Sequence, residues 1–213
     1  MQPKKRHFIL DLIDEGEHQH QDFKYRISDS AKIARSISAF ANCSGGHLLV
    51  GVKDNGNIAG VSSEEEIYMV EQAAECYCKP AQAIACRTYR SGGKTVLKVD
   101  IAEAAEKPVL APDEHGKWKA FYRVADENIP ASNLHLKIWE HNNETTGTMV
   151  QFCDHERLLF EYLEEHGGIT IEGYMKLAHI SRMVAETSAV NLCQIHSLAL
   201  EYHDGEYLLT LPK

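Results

Sequence analysis

Residues Ser28–Val61 read SDSAKIARSISAFANCSGGHLLVGVKDNGNIAGV, and their punctuation decides how the first half of the chain folds. Ser28-Asp29-Ser30 supply N-cap oxygens, and Ile33, Ala34, Ile37, Phe40 and Ala41 then recur at helical spacing. Asn42 and the pair Gly45-Gly46 stop that helix, because glycine enters the left-handed region without a Cβ clash. His47 to Val52 is a short apolar run and predicts a strand. Asp54-Asn55-Gly56-Asn57 has the chemistry of a tight hairpin turn, with Ile58 to Val61 returning from it.

Working outward, Ser62 and Ser63 stand three residues before Glu65 and Glu66, a capping-box signal for a helix to about Tyr77 that Lys79-Pro80 ends. Two strands follow, over about 82–89 and 95–101, joined by Ser91-Gly92-Gly93. Trp118 to Val124 predicts another strand, and Ser132 caps a helix to about His141. Helices interleave with hairpins instead of alternating one for one, so the expected class is α+β. The polar stretch Asn142 to Gly147 has no apolar period and reads as a linker. Beyond it come a helix with Leu158, Leu159, Tyr162 and Leu163, a second over Ile171 to His179 and a third over Ser181 to His196. Two strands then flank Asp204-Gly205. Three helices followed by a two-stranded wing is the order of a winged helix-turn-helix. The expected division is a first domain over 1–141, a linker over 142–150 and a winged-helix domain over 151–213.

The composition of the 213 residues, 44% hydrophobic and 25% charged, is that of a globular chain and excludes disordered, collagenous and coiled-coil classes. No apolar run approaches the roughly 18–20 residues of a membrane span, and the basic start Met1 to His7 lacks a signal-peptide core. Six cysteines are too dilute for a disulfide scaffold, which points to a reducing cytoplasm. The net charge of −9 argues against nucleic acid, but its distribution is uneven. Residues 151–213 hold four bases against ten acids, whereas Lys79 to Lys98 contains Lys79, Arg87, Arg90, Lys94 and Lys98 and no acid. On the predicted hairpin, Arg87, Tyr89, Arg90, Lys94 and Lys98 combine cations with an aromatic ring, the pattern that tracks a phosphate backbone. The same residues also fit an edge hairpin whose charges prevent aggregation.

Several ordered elements carry a family resemblance: Glu17-x4-Asp22-Phe23-Lys24, then Ala39-Phe40-Ala41-Asn42-x-x-Gly45-Gly46, then Gly51-Val52-x-Asp54-x-Gly56-x-Ile58-x-Gly60, with Lys107-Pro108-Val109 and Tyr122-Arg123-Val124 further on. Over roughly residues 10–135 the chain resembles the Schlafen-type, AlbA-like DNA-binding domain, although Asp22 stands where that family more often has glutamate. The tail is similar to winged-helix modules fused to this domain in bacterial transcriptional regulators. The resemblance implies nucleic-acid binding, DNA ahead of RNA, with Lys24 and Arg123 joining the hairpin residues. The acidity of the tail makes a homodimer through the winged helix the expectation, and no membrane and no cofactor are expected. In some animal members it implies a metal-dependent endoribonuclease on three carboxylates, which here are Glu17, Asp22 and Asp54. Such a set would hold Mg²⁺ or Mn²⁺ through oxygen and activate water. The plainer reading makes Glu17 a surface acid, Asp22 a turn cap and Asp54 the first residue of its turn. A third reading is an interaction module that binds no nucleic acid.

Other motifs carry less. Gly45 and Gly46 follow a helix and precede a strand, the reverse of a phosphate cradle, so ATP hydrolysis is not expected. Cys76-x-Cys78 with Cys86 falls short of the four ligands of a closed zinc site. His18 and His20 read as exposed polar residues. The third tail helix offers one cation, Arg182, opposed by Glu186, so protein contact is expected of it ahead of DNA reading.

Overall fold

The computed structural model describes residues 8–61, 64–142 and 152–212. The basic start, the Ser62-Ser63 capping signal and all of the expected linker beyond Asn142 lie outside the described residues. The fold is α+β, in two compact units that divide between Ala131 and Ser132.

The first unit runs α1 (Phe8–Glu15), β1 (Gln21–Lys24), α2 (Ser30–Asn42), β2 (Gly46–Val50), α3 (Glu64–Cys76), β3 (Ile84–Ser91), β4 (Lys94–Ile101), β5 (Leu110–Pro112), β6 (Trp118–Val124) and β7 (Glu127–Pro130). Its larger sheet has the order β1-β2-β4-β3, and a smaller one has the order β5-β6-β7. β1 pairs with β2 in parallel, whereas β2–β4 and β4–β3 are antiparallel. The helix read from Ser28 to Asn42 is the centre of this unit. Asp29 caps it, accepting from the Ala31 and Lys32 N–H groups. Ile33, Ile37 and Phe40 lie in a core with Leu48, Val50, Leu97, Val99, Val109, Ala111 and Phe121, so α2 packs on both sheets. The other face of the large sheet is closed by α1: Ile9 and Ile13 pack with Phe23, Leu49, Val52 and Val96.

A helix buried on several sides must satisfy its polar groups internally. Asn42 does so for its end of α2. Its Nδ2 donates to the Val109 and Phe121 carbonyls at 2.8 and 2.9 Å, and its Oδ1 accepts from the Val109 N–H at 2.7 Å. One side chain thus ties α2 to β6 and to the segment entering β5. The turn after β2 is closed by glycine: the Ala59 and Gly60 N–H groups both bond to the Gly51 carbonyl, at 2.8 and 2.9 Å. A Cβ on Gly51 would come within 2.8 Å of Gly60, and Gly51 sits at φ +90°. The Gly51 to Gly60 motif is therefore a backbone crossing that holds residues 53–57 out as a turn.

The second unit runs α4 (Asn133–Asn142), α5 (Asp154–His166), β8 (Gly168–Ile169), α6 (Ile171–Ala178), α7 (Arg182–Gln194), β9 (Ala199–His203) and β10 (Glu206–Thr210). β10 lies between β8 and β9, antiparallel to both. Leu134, Leu159, Leu163, Tyr174, Ala189, Leu192, Leu198 and Leu209 form its core. The helix over 133–142, expected in the first domain, belongs here. Leu134 is buried in this core, and the Gln194 side chain donates to the Ile138 carbonyl at 3.2 Å.

Candidate nucleic-acid interface

Two of the three expected carboxylates meet. Glu17 Oε1 accepts the Phe23 N–H at 2.8 Å. Burial pushes its carboxyl up to about 7, and a side-chain hydrogen bond with Asp22 and that neighbour's charge add to the rise. Asp22 is 2% exposed; Lys24 Nζ lies 2.7 Å from its Oδ2, Arg123 Nη2 3.6 Å from its Oδ1, and Ser36 Oγ donates to it at 3.3 Å. Asp54 stands apart on the exposed turn, lining a shallow surface cleft with Tyr25, Lys53 and Asn55. The three carboxylates do not come within 4.8 Å of one another.

The expected nucleic-acid residues divide in the same way. Arg123 is 1% exposed and unavailable to a ligand. Its Nη1 donates to Asn128 Oδ1 at 3.0 Å and its Nη2 to the Gln21 and His18 carbonyls at 3.1 and 3.3 Å, with the guanidinium 5.1 Å from the centre of the Phe40 ring. A rigid fork of donors suits this linking role. Lys98, 9% exposed, pairs with Asp100. Tyr89 is half-buried against α1, its ring 6.0 Å from that of Phe8. Lys24 is partly spent on Asp22. By contrast Arg87, Arg90 and Lys94 are exposed, and Lys94 Nζ donates to the Ile58 carbonyl at 2.6 Å.

Strand direction gathers the exposed cations. β1, β2 and β3 all run one way and β4 the other. The C-terminal ends of the first three and the start of β4 therefore share one end of the sheet. Lys24, Arg26, Lys53, Arg90 and Lys94 sit at or just beyond that end, with Asp54 in the same turn. Tyr25 stands among them, 47% exposed, with Arg26 and Lys53 at 5.6 and 5.3 Å from its ring centre. Tyr25, Arg26 and Lys53 were not expected from sequence. Their only signal was an aromatic between two cations, Lys24-Tyr25-Arg26, and nothing local places Lys53 beside it.

The opposite end of the sheet is different in kind. His47 Nε2 lies 2.7 Å from Gln21 Oε1, while Gln21 Nε2 donates to the Leu12 and Gly16 carbonyls. Gln21 Oε1 is thus the acceptor and His47 Nε2 carries the proton. Burial, then the Lys98 charge, lowers the His47 pKa to about 4, so the ring is neutral.

The family model Schlafen, AlbA_2 matches residues 17–132, more than half of the chain. The chain belongs to the Schlafen, AlbA_2 family. The quoted family motifs are thereby given structural roles: Asn42 and Arg123 are internal ties, and the Gly51–Gly60 segment is the crossing beneath the Lys53 turn. No curated protein matches the chain. Among solved structures, the DIP2311 protein from Corynebacterium diphtheriae is similar at 19% identity and a TM-score of 0.48; the match covers 92% of this chain and 40% of that protein, so this chain spans about two fifths of its length. The N-terminal domain of a RecG-related protein from Nitrosomonas europaea is similar at 22% identity and a TM-score of 0.41, over 68% of this chain and 90% of that domain.

Proposed function

We propose that this protein binds nucleic acid through the basic end of the β1-β2-β4-β3 sheet. The observation that carries the proposal is that Lys24, Arg26, Lys53, Arg90 and Lys94 share one end of the sheet, where Arg26 and Lys53 flank the exposed ring of Tyr25. Cations spaced along a sheet end neutralise successive phosphates, and an exposed aromatic gives a base a stacking surface. The family membership supports the same reading. Metal-dependent cleavage is the weaker one, because Asp22 is buried against Lys24 and Arg123 while Asp54 stands on a separate turn.

The second unit we read as a winged helix, with α6 and α7 as the helix pair and β9–β10 as the wing, joining two copies of the chain. Its acidic surface fits protein contact better than phosphate. The whole is proposed as a cytoplasmic DNA-binding regulator of transcription.

The test is binding of the intact protein to end-labelled duplex DNA and to single-stranded DNA and RNA across a salt series. Affinity carried by phosphates falls linearly on logarithmic axes, by about 0.9 per contact on duplex DNA. Arg90→Glu with Lys94→Glu is expected to lower the slope by about 1 per lost contact; both side chains are exposed, so melting should change by no more than the loss of the Lys94–Ile58 hydrogen bond. Binding that ignores both salt and this double variant would sink the proposal.

A further inference from the structure

At the start of α5 three different metal-ligand types converge. Cys153 Sγ, a His155 ring nitrogen and a Glu156 carboxylate oxygen all lie within 4.8 Å of one another, and among the described residues no other group of three or more His, Cys, Asp or Glu does so. We propose that these three residues bind a divalent transition-metal ion of the zinc class, with a fourth position left to water.

Geometry and donor chemistry both support this. Glu156 is buried and held from two sides: Ser188 Oγ donates to its Oε1 at 2.7 Å, and the Cys153 N–H donates to its Oε2 at 2.9 Å. Ser188 is in turn 3.1 Å from the Tyr174 hydroxyl. Such outer hydrogen bonds fix a ligand before the ion arrives. His155 Nε2 lies 2.9 Å from Glu156 Oε1, and an ion can bridge the pair once it opens to roughly 3.3 Å, the spacing set by tetrahedral bonds of about 2.0–2.2 Å.

Cys153 is the N-cap residue of α5. Serine, threonine, asparagine and aspartate are the preferred N-caps, so a cysteine there adds a ligand thiol to the capping box it makes with Glu156. One thiolate, one imidazole and one carboxylate select zinc-like ions over Mg²⁺ or Ca²⁺. A cavity of about 310 Å³ lined by His155, Glu156, Met183, Val184 and Thr187 adjoins the site and gives an ion access from solvent. Through Glu156 and Ser188 the ion would tie the start of α5 to α7.

The full-length protein, stripped with a chelator, is titrated with Co²⁺ and then Zn²⁺. The expected result is a thiolate-to-cobalt charge-transfer absorption with intense visible bands of a four-coordinate site, saturating at one ion per chain and displaced by Zn²⁺. Cys153→Ser keeps a good cap, so helix α5 survives while the thiolate is lost. It should abolish the charge-transfer band and weaken Zn²⁺ binding by more than the roughly 10–100-fold that removing an outer hydrogen bond costs. Ser188→Ala should fall within that 10–100-fold range, and Cys76→Ser, at an exposed cysteine elsewhere, should change nothing. A missing thiolate band in the parent protein, or Cys153→Ser binding Zn²⁺ like the parent, overturns the proposal.

Discussion

The two ends of the four-stranded sheet use the same kinds of side chain for opposite purposes. Around Asp22 and His47, cations and polar groups are turned inward: Arg123 joins Asp22, Asn128 and two backbone carbonyls, and Lys98 pairs with Asp100. At the other end Lys53, Arg90 and Lys94 face solvent, and Lys53 lies over the Tyr25 ring. The difference teaches that a basic residue in this family's motifs is not thereby a phosphate contact. Burial decides it, since an arginine enclosed among fixed oxygens gains nothing from a ligand it cannot reach.

The strongest way to break this division is to attack its inward side. Asn42→Ala would leave the Val109 N–H and the Phe121 carbonyl without that partner in the core, the Val109 carbonyl keeping the Ser38 hydroxyl at 2.8 Å. Each such loss costs about 1–3 kcal/mol, so a drop of at least about 2 kcal/mol in unfolding free energy is expected by denaturant titration. Arg123→Met removes one side of a buried ion pair and should cost about 3–5 kcal/mol. If either variant melted like the parent but lost nucleic acid, the inward residues would be the interface and the division would be reversed.

A smaller effect sharpens the outward side. Tyr25→Ala removes the exposed ring that Arg26 and Lys53 flank at that sheet end. Loss of a stacked base costs about 1–3 kcal/mol, and is expected for single-stranded oligonucleotides, whose bases are free, with little change for duplex DNA. Equal losses for both would mean that Tyr25 only positions Arg26 and Lys53.

How far the sequence disclosed this arrangement depends on the range of the interaction. α2, its Asp29 cap, β2, the β3–β4 hairpin and the three helices of the tail announce themselves through local periodicity and turn chemistry. β1 does not: four residues, Gln21 to Lys24, become a strand only because β2 lies alongside in parallel. β5 and β7 are likewise three and four residues held by β6. The boundary before α4 was missed because a polar stretch after the helix looks like a linker, while the packing of Leu134 is invisible in one dimension. Among the site residues, spacing could nominate Glu17, Asp22 and Asp54. It could not say that Asp22 is buried under Arg123, more than a hundred residues later in the chain, or that Lys53 reaches Tyr25.

The mildest expected effect concerns pH and tests whether Asp22 really absorbs the neighbouring positive charge. Lys24 lies close enough to stabilise a carboxylate at Glu17, yet that carboxyl rises from 4.5 to about 7, because burial and Asp22 outweigh the lysine. The folded protein therefore keeps a proton on Glu17 that the unfolded chain releases above 4.5. Its contribution is complete below about pH 4.5 and is lost as pH rises through about 7. His47 works the other way: its pKa falls from 6.5 to about 4, so its contribution is present above 6.5 and lost as pH falls toward 4. Glu17→Gln mimics the protonated acid and leaves His47 untouched. Melting temperatures of parent and variant should agree near pH 5 and separate by pH 8, with the variant higher. A constant gap across that range would mean that Glu17 ionises as an ordinary surface acid and that Lys24, not Asp22, controls it.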